Sequence, residues 1–348
     1  MSRIALITGI TGQDGALLCE HLLSKDYYVY GLARQTSTSN TSRIDRFANH
    51  PNLEIIRGDL TDGACITNLV RDTAPDEIYN LAAQSHVHES FKSPVWTAQV
   101  NAIGPLYLLE AIRCGGLKDK TRFYQASTSE VFGNSEDPSQ SEGTRFKPAS
   151  PYASAKVFAH NLCVNYRQAY QIHASNGILF NHESPLRGDD FVSRKITLAA
   201  CRIENGEQSP LKLGNLDAVR DWGDAREFVV FMWKILQQDG PDDYVLSTGQ
   251  TATVRDFATL AFRQCGIEIE WTGEGAQEKG INRKSKATLI EVDPDLYRPV
   301  DVNFLCGDSR KAQRKLGWDP GKASLEKLVE DMIDSDRQKL KKPAFEEF

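Results

Sequence analysis

Two clusters between Ser127 and Lys156 hold the residues best suited to acid–base chemistry. The first, Ser127-Thr128-Ser129-Glu130, ends an apolar, strand-like run through Phe123, Tyr124 and Ala126. The second, Tyr152-Ala153-Ser154-Ala155-Lys156, opens a helix-like one. Together they offer a base, an acid and hydroxyl donors. Tyr152 and Lys156 are spaced to share a helix face. An ammonium held beside a phenol lowers a pKa that starts near about 10, which makes a phenolate base accessible near neutral pH. Tyr-x-x-x-Lys is frequent by chance, so its meaning depends on the elements that position it.

Those elements alternate. Arg3-Ile4-Ala5-Leu6-Ile7-Thr8 is a nearly continuous apolar run, as in a parallel strand buried on both faces. Gly9-Ile10-Thr11-Gly12-Gln13-Asp14-Gly15 follows, then a helical pattern through Leu17, Leu18, Leu22 and Leu23. A strand, a glycine turn and a helix in that order let backbone amides and the helix N-terminus hold a pyrophosphate. A second strand, Tyr28 to Leu32, leads into Ala33-Arg34-Gln35-Thr36-Ser37. An acidic residue there would read the ribose of NAD, whereas a cation and hydroxyls suit the 2′-phosphate of NADP.

Further strands are expected at 53–56, leading to Gly58-Asp59-Leu60, at 77–83, through Phe123 and ending at Ser127, and at 175–180. Helices are expected at 64–71, at 101–113 and around Lys156. This order implies an α/β fold with a doubly wound parallel sheet of the Rossmann kind. Ligands sit at the carboxyl ends of such strands, and Gly9, Asp59, Ala82, Thr128 and Asn181 all fall there.

Beyond Asn181 the pattern loosens: helices are expected at 192–204 and 226–236, with 211–217 between them, and 271–298 reads as loops. The expected division is a dinucleotide-binding Rossmann domain at 1–180, with returns near 215–250 and 300–310, and a smaller, interleaved α/β substrate domain at 181–348. A formal charge of −6 argues against a nucleic-acid binder, and Lys339-Leu340-Lys341-Lys342 reads as a solvated terminus. Seven cysteines without a Cys-x-x-Cys pair point to reduced thiols in the cytoplasm. No run approaches the ~18 apolar residues of a membrane span, and no signal-peptide pattern opens the chain. His86 and His88 lack a third ligand at a recognisable spacing, so no metal is expected.

Thr8-Gly9-x-x-Gly12-x-x-Gly15, Leu81-Ala82-Ala83-Gln84-Ser85, Ser127-Thr128-Ser129-Glu130 and Tyr152-x-x-x-Lys156 resemble the extended short-chain dehydrogenase/reductases. Asn181-His182-Glu183-Ser184-Pro185, the stretch from Leu213 to Gly223 (LGNLDAVRDWG) and Tyr297-Arg298-Pro299 narrow the resemblance to the GDP-mannose 4,6-dehydratase family. It covers nearly the whole chain. The resemblance implies a GDP-sugar substrate, tightly bound NADP, and a homodimer or homotetramer. It implies that Tyr152 takes the C4 hydroxyl proton, that Lys156 lowers the Tyr152 pKa and binds the nicotinamide ribose, and that Thr128 hydrogen-bonds the C4 oxygen. Glu130 would then remove the C5 proton, which is acidic only beside a ketone, and help water leave from C6 before hydride returns there.

The same resemblance implies cofactor contacts by Gly9, Thr11, Gly12, Gln13, Asp14, Gly15, Arg34, Ser37, Asp59, Leu60, Leu81, Ala82, Ala83, Gln84, Ser85, Trp96, Tyr152, Lys156, His182 and Arg187. Substrate contacts are implied for Ser85, Ser129, Glu130, Asn181, Lys195, Arg220 and Arg298. The family usually has arginine pairs where this chain has Arg34-Gln35 and Leu186-Arg187. Those pairs serve the cofactor phosphate and a neighbouring subunit's cofactor, so the departure bears on NADP preference and assembly. A GDP-heptose would fit the same chemistry. A dTDP-glucose 4,6-dehydratase usually carries Asp where this chain has Ser129, an epimerase or reductase has no need of Glu130, and a dinucleotide-binding sensor would lack Tyr152 or Lys156.

Overall fold

In the computed structural model, residues 2–37, 39–320 and 324–341 are described. Thr38, in the hydroxyl-rich stretch after the second strand, and Lys342, in the basic tail, lie outside them. Along the chain come β1 (Ile4–Thr8), α1 (Gln13–Leu23), β2 (Tyr28–Ala33), β3 (Leu53–Arg57), α2 (Gly63–Thr73), β4 (Glu77–Asn80), α3 (Val87–Lys92), α4 (Pro94–Ala98), α5 (Gly104–Cys114), β5 (Arg122–Thr128), α6 (Pro151–Tyr170) and β6 (Ala174–Leu179). Then follow β7 (Asn181–Glu183), α7 (Val192–Glu204), β8 (Leu211–Leu213), β9 (Val219–Asp224), α8 (Ala225–Leu236), β10 (Asp243–Leu246), β11 (Thr251–Thr253), α9 (Val254–Gln264), β12 (Ile269–Thr272), β13 (Lys279–Asn282), β14 (Thr288–Val292), α10 (Arg310–Leu316) and α11 (Leu325–Lys341).

Seven strands form one parallel sheet in the order β10-β6-β5-β4-β1-β2-β3. Because β1 lies inside it, successive side chains enter opposite cores. Ala5 and Ile7 pack with α1 and α8 residues such as Leu18 and Phe228, whereas Leu6 packs with Ile66, Leu108 and Ile112 of α2 and α5. That two-sided burial explains why β1 reads as a continuous apolar run. The order reverses between β1 and β4, where a crevice opens at the carboxyl ends of the strands.

The strand expected at 77–83 stops at Asn80. There the chain turns onto β1, with Leu81 N–H donating to the Thr8 carbonyl at 3.3 Å and Ala82 N–H to Thr8 Oγ1 at 3.2 Å. The helix expected from Asn101 starts only at Gly104, because Gln99–Ile103 is a wider π turn. Buried Asn101 bonds both backbone groups of Gln84 from that turn, at 2.8 and 2.9 Å.

The reading of 271–298 as loops is corrected. β12, β13 and β14 make an antiparallel meander, and β14 pairs in parallel with β8. Its inner face puts Ile269, Trp271 and Ile290 on a second core with α7, α9 and α11. Its outer face carries pairs such as Lys279–Glu291 at 3.4 Å, and this polar composition hides the two-residue period. A third sheet, β11-β9-β7, lies between. Buried Asp221 of β9 ties it to the loop after β10, accepting from Thr248 N–H and Oγ1 and from Gly249 N–H at 2.7–2.8 Å. Among the described residues no helix is long and apolar enough to cross a membrane.

Candidate active site

Two helix starts and one strand end fix the central side chains. Thr128 closes β5 and caps the short turn Ser129–Phe132, its Oγ1 accepting from Glu130 N–H at 3.3 Å. Ser150 caps α6 by accepting from Ala153 N–H at 3.1 Å, and Pro151 occupies the first helical position, where no N–H is needed. Tyr152 therefore sits in the first turn and Lys156 one turn on. They are 9% and 4% exposed.

Burial pushes Tyr152 up to about 12; a hydrogen bond with Thr128 opposes the rise and the charge of Glu130 adds to it. Burial pushes Lys156 down to about 8, with the Asp14 carboxylate acting against it. Lys156 Nζ donates to the Ala126 carbonyl at 2.9 Å and stands 5.9 Å from the centre of the Tyr152 ring. Lys156 is not among the leading influences on the Tyr152 pKa. Desolvation dominates, and Thr128 is the strongest influence favouring the phenolate.

The glycine turn lies against the same crevice. Gly9 has φ +72°, and a Cβ there would meet Ala82 N at 2.7 Å; one on Gly15 would meet the Gly9 carbonyl at 2.3 Å. The turn is a cradle that side chains would fill. Gly12 starts α1 without a side-chain cap, which leaves first-turn amides to a ligand. These features fit a dinucleotide. Behind the turn, Asp14 is held to about 2: burial raises it, but the charge and hydrogen bond of His182 outweigh that. Gln13 joins the group, donating to the His182 carbonyl at 3.1 Å and accepting from Ser184 Oγ at 2.8 Å.

At the end of β2, Arg34 is exposed and lies 5.9 Å over the Trp96 ring, with exposed Ser37 in the same loop. Arg57 of β3 reaches Asn40 at 3.1 Å, and Asn40 in turn donates to the Arg34 carbonyl at 3.2 Å. Asp59 is turned to its own loop, accepting from Thr61 N–H and Oγ1 at 2.9 and 2.8 Å, beside buried Leu60. Leu81, Ala82 and Ala83 lead from β4 past the glycine turn to buried Gln84 and exposed Ser85. Arg43 Nη1 donates to the Thr11 carbonyl at 3.2 Å and its Nε to Leu186 at 2.7 Å, so this loop closes over the turn.

On the other side, Arg298 Nη1 is 3.2 Å from Glu130 Oε1 and 3.6 Å from Asp301. Buried Arg220 is 3.8 Å from the same Asp301, whose other oxygen accepts from Asn215 at 3.1 Å. Glu130, Arg220 and Arg298 therefore converge with buried Ser129, while Asn181 of β7 pairs with Trp222. Lys195, in the first turn of α7, lies apart on the His86 side, where burial and then the cations Arg187 and Lys195 oppose protonation of that ring. Arg187 pairs with Glu183 at 3.0 Å and covers the Phe191 ring at 3.7 Å. Asp301, Arg43, Arg57 and Asn101 were not singled out from sequence. The Arg298-Pro299-Val300-Asp301 spacing carries a signal for the first; the others depend on chain folding alone.

A family model described as "GDP-mannose 4,6 dehydratase" matches residues 6–332. The chain is 51% identical to the GDP-mannose 4,6-dehydratase of Sinorhizobium fredii (strain HH103) over 344 residues, covering 97% of this chain and 98% of that protein. It is 45% identical to the human GDP-mannose 4,6 dehydratase, with 96% and 91% covered. Among solved structures, a Thermotoga maritima UDP-glucose 4-epimerase with UDP-glucose superposes with TM-score 0.81 at 22% identity, covering 97% and 99%. A Bacillus anthracis dTDP-glucose 4,6-dehydratase in complex with NAD gives 0.80 at 19%, with 97% of each chain covered. At such identities the two structures speak to the fold alone.

Proposed function

Because the chain belongs to the GDP-mannose 4,6-dehydratase family, we infer that it is the hydro-lyase that converts GDP-mannose to GDP-4-keto-6-deoxymannose and water. The observation that carries this reading is the convergence of Thr128, Glu130 and Tyr152 at the end of β5 beside the glycine turn. A nicotinamide dinucleotide held over the glycine turn and by Lys156 would supply the hydride-accepting and hydride-donating chemistry.

Tyr152 accepts the C4 hydroxyl proton, and Thr128 hydrogen-bonds the resulting oxygen. Burial holds Tyr152 as a phenol near neutral pH, and the Lys156 ammonium on the same helix face is the cation placed to favour the phenolate as the proton leaves. Lys156 spends one N–H on Ala126 and has two left for ribose hydroxyls. Glu130 takes the C5 proton made acidic by the C4 ketone and gives a proton to the departing C6 hydroxyl. C5 regains a proton from solvent and Tyr152 releases its own to solvent, so the sugar loses one water in total. Arg220 and Arg298 supply the positive charge for the diphosphate, with Asn181 and Lys195 at its margins.

NADP is the cofactor we assign, supported by Arg34 and the nearby Arg57 at the ends of β2 and β3. Homo-oligomeric assembly is supported by the exposed apolar side chains Val95, Trp96 and Phe158 on α4 and α6. Cytoplasmic residence is supported by the seven unpaired cysteines.

Single-turnover reaction of two variants tests the residue roles. Glu130→Gln is expected to let reduced nicotinamide and a 4-keto hexose accumulate to one equivalent per site, with the C5 proton in place. Tyr152→Phe is expected to accumulate nothing, and both should lose ~10²–10⁴-fold in steady-state product formation. Near wild-type turnover with C5 exchange in Glu130→Gln would show that another group is the base.

A further inference from the structure

Outside the crevice, three side chains of metal-ligating type meet where α7, α9 and α11 pack. Cys201 and Glu204 are three residues apart on α7, and so share a face. Cys265 follows the last turn of α9. Their ligand atoms, two sulfurs and a carboxylate oxygen, all lie within 4.8 Å of one another. Both cysteines are buried, whereas the Glu204 side chain is 30% exposed. The cluster is therefore sealed on the sulfur side and open to solvent on the carboxylate side. We propose that Cys201, Glu204 and Cys265 bind one thiophilic divalent cation of the zinc type, with water in the fourth position.

Geometry and charge both favour this occupant. Donors around a tetrahedral zinc at ~2.3 Å to sulfur stand about 3.8 Å apart, so a shift of ~1 Å from the observed limit completes the set. Arg337 of α11 holds Glu204 in a fork, Nε to Oε2 at 2.9 Å and Nη2 to Oε1 at 2.8 Å, and also donates to the Gln264 carbonyl at 2.8 Å. One carboxylate oxygen can keep Arg337 while the other turns to the metal. With both thiols ionised, the two thiolates and the carboxylate, less the guanidinium, leave two negative charges, which a dication neutralises. A disulfide would use the sulfurs but leave Glu204 without a part. A cation entering the cluster displaces the thiol protons. Binding then weakens as pH falls.

The full-length protein, reduced, freed of metal and reductant and kept free of oxygen, is titrated with Co²⁺. The expected result is a thiolate-to-cobalt absorption band that saturates at one equivalent and is displaced by Zn²⁺. Cys201→Ser and Cys265→Ser should abolish the band, Cys114→Ser should leave it intact, and Glu204→Gln should weaken binding at least about tenfold. Glu204 is at the surface, so its variant remains informative if a buried cysteine variant fails to fold. Absence of a one-equivalent thiolate band in the wild type, or a band unchanged in Glu204→Gln and in the folded cysteine variants, would overturn the proposal.

Discussion

His182 shows how far single contacts determine the site. Its Nδ1 is 2.7 Å from the Phe180 carbonyl and its Nε2 is 2.9 Å from the Asp14 carboxylate. Both partners only accept, so the ring must donate from both nitrogens and carry a charge. Burial opposes that charge, but Asp14 outweighs it and raises His182 above its ordinary 6.5, while Asp14 falls from 3.8 to about 2. The Asp14 contribution, about 2 kcal/mol, is present above pH 3.8 and lost as pH falls through 2. The His182 contribution is full below 6.5 and lost as pH rises through its higher folded value. Thermal unfolding across pH should therefore show this pair strongest between about 4 and 6.5. Asp14→Asn should flatten both limbs and cost about 3 kcal/mol near pH 5.5, because it leaves a buried cation unpaired. An unchanged pH profile in the variant would contradict the pairing. Sequence marks Asp14 and His182 separately as cofactor-side residues; their ion pair spans 168 positions, and no local spacing encodes it.

At the scale of elements, what was legible is what buries symmetrically. β1, the glycine turn and α1 follow from an apolar run, close backbone approach and a helical period, and the helix at 192–204 is found with those bounds. The meander β12–β14 was illegible because only one face packs, and its charged outer pairs resemble a loop in composition. The π turn before α5 was likewise hidden, since it depends on Asn101 reaching Gln84 from another segment. The tip of β2 carries its own consequence. Arg34 is exposed over Trp96, and among the described residues no carboxylate pairs with its guanidinium. A charge-assisted contact to a phosphate is worth roughly 1.5–3 kcal/mol. Arg34→Ala should then weaken NADP binding about 10–100-fold in titration and NAD binding little. Equal losses for both cofactors would remove the basis for the NADP assignment.

At the scale of the whole molecule, three sheets bring one crevice together from distant segments. Thr128 and Tyr152 come from the seven-stranded sheet and its helix, Arg220 from β9, and Arg298 from the segment after β14. Assembly is a further level. Arg187 is held within its own chain by Glu183 and Phe191, and it lies beside the loop that Arg43 ties to Leu186. Light scattering should give a dimer or tetramer for the intact protein and a smaller species for Arg187→Ala. A monomer in both cases would count against assembly through this loop.

The central claim is that oxidation at C4, loss of water across C5 and C6, and reduction at C6 occur in this one crevice on one GDP-mannose. It is tested most directly by mixing GDP-mannose deuterated at C4 with GDP-mannose carrying ¹³C throughout the hexose and analysing the product by mass spectrometry and NMR. The expected product carries deuterium on C6 of the unlabelled-carbon hexose alone. Deuterium lost to solvent, or found on the ¹³C product, would contradict the claim.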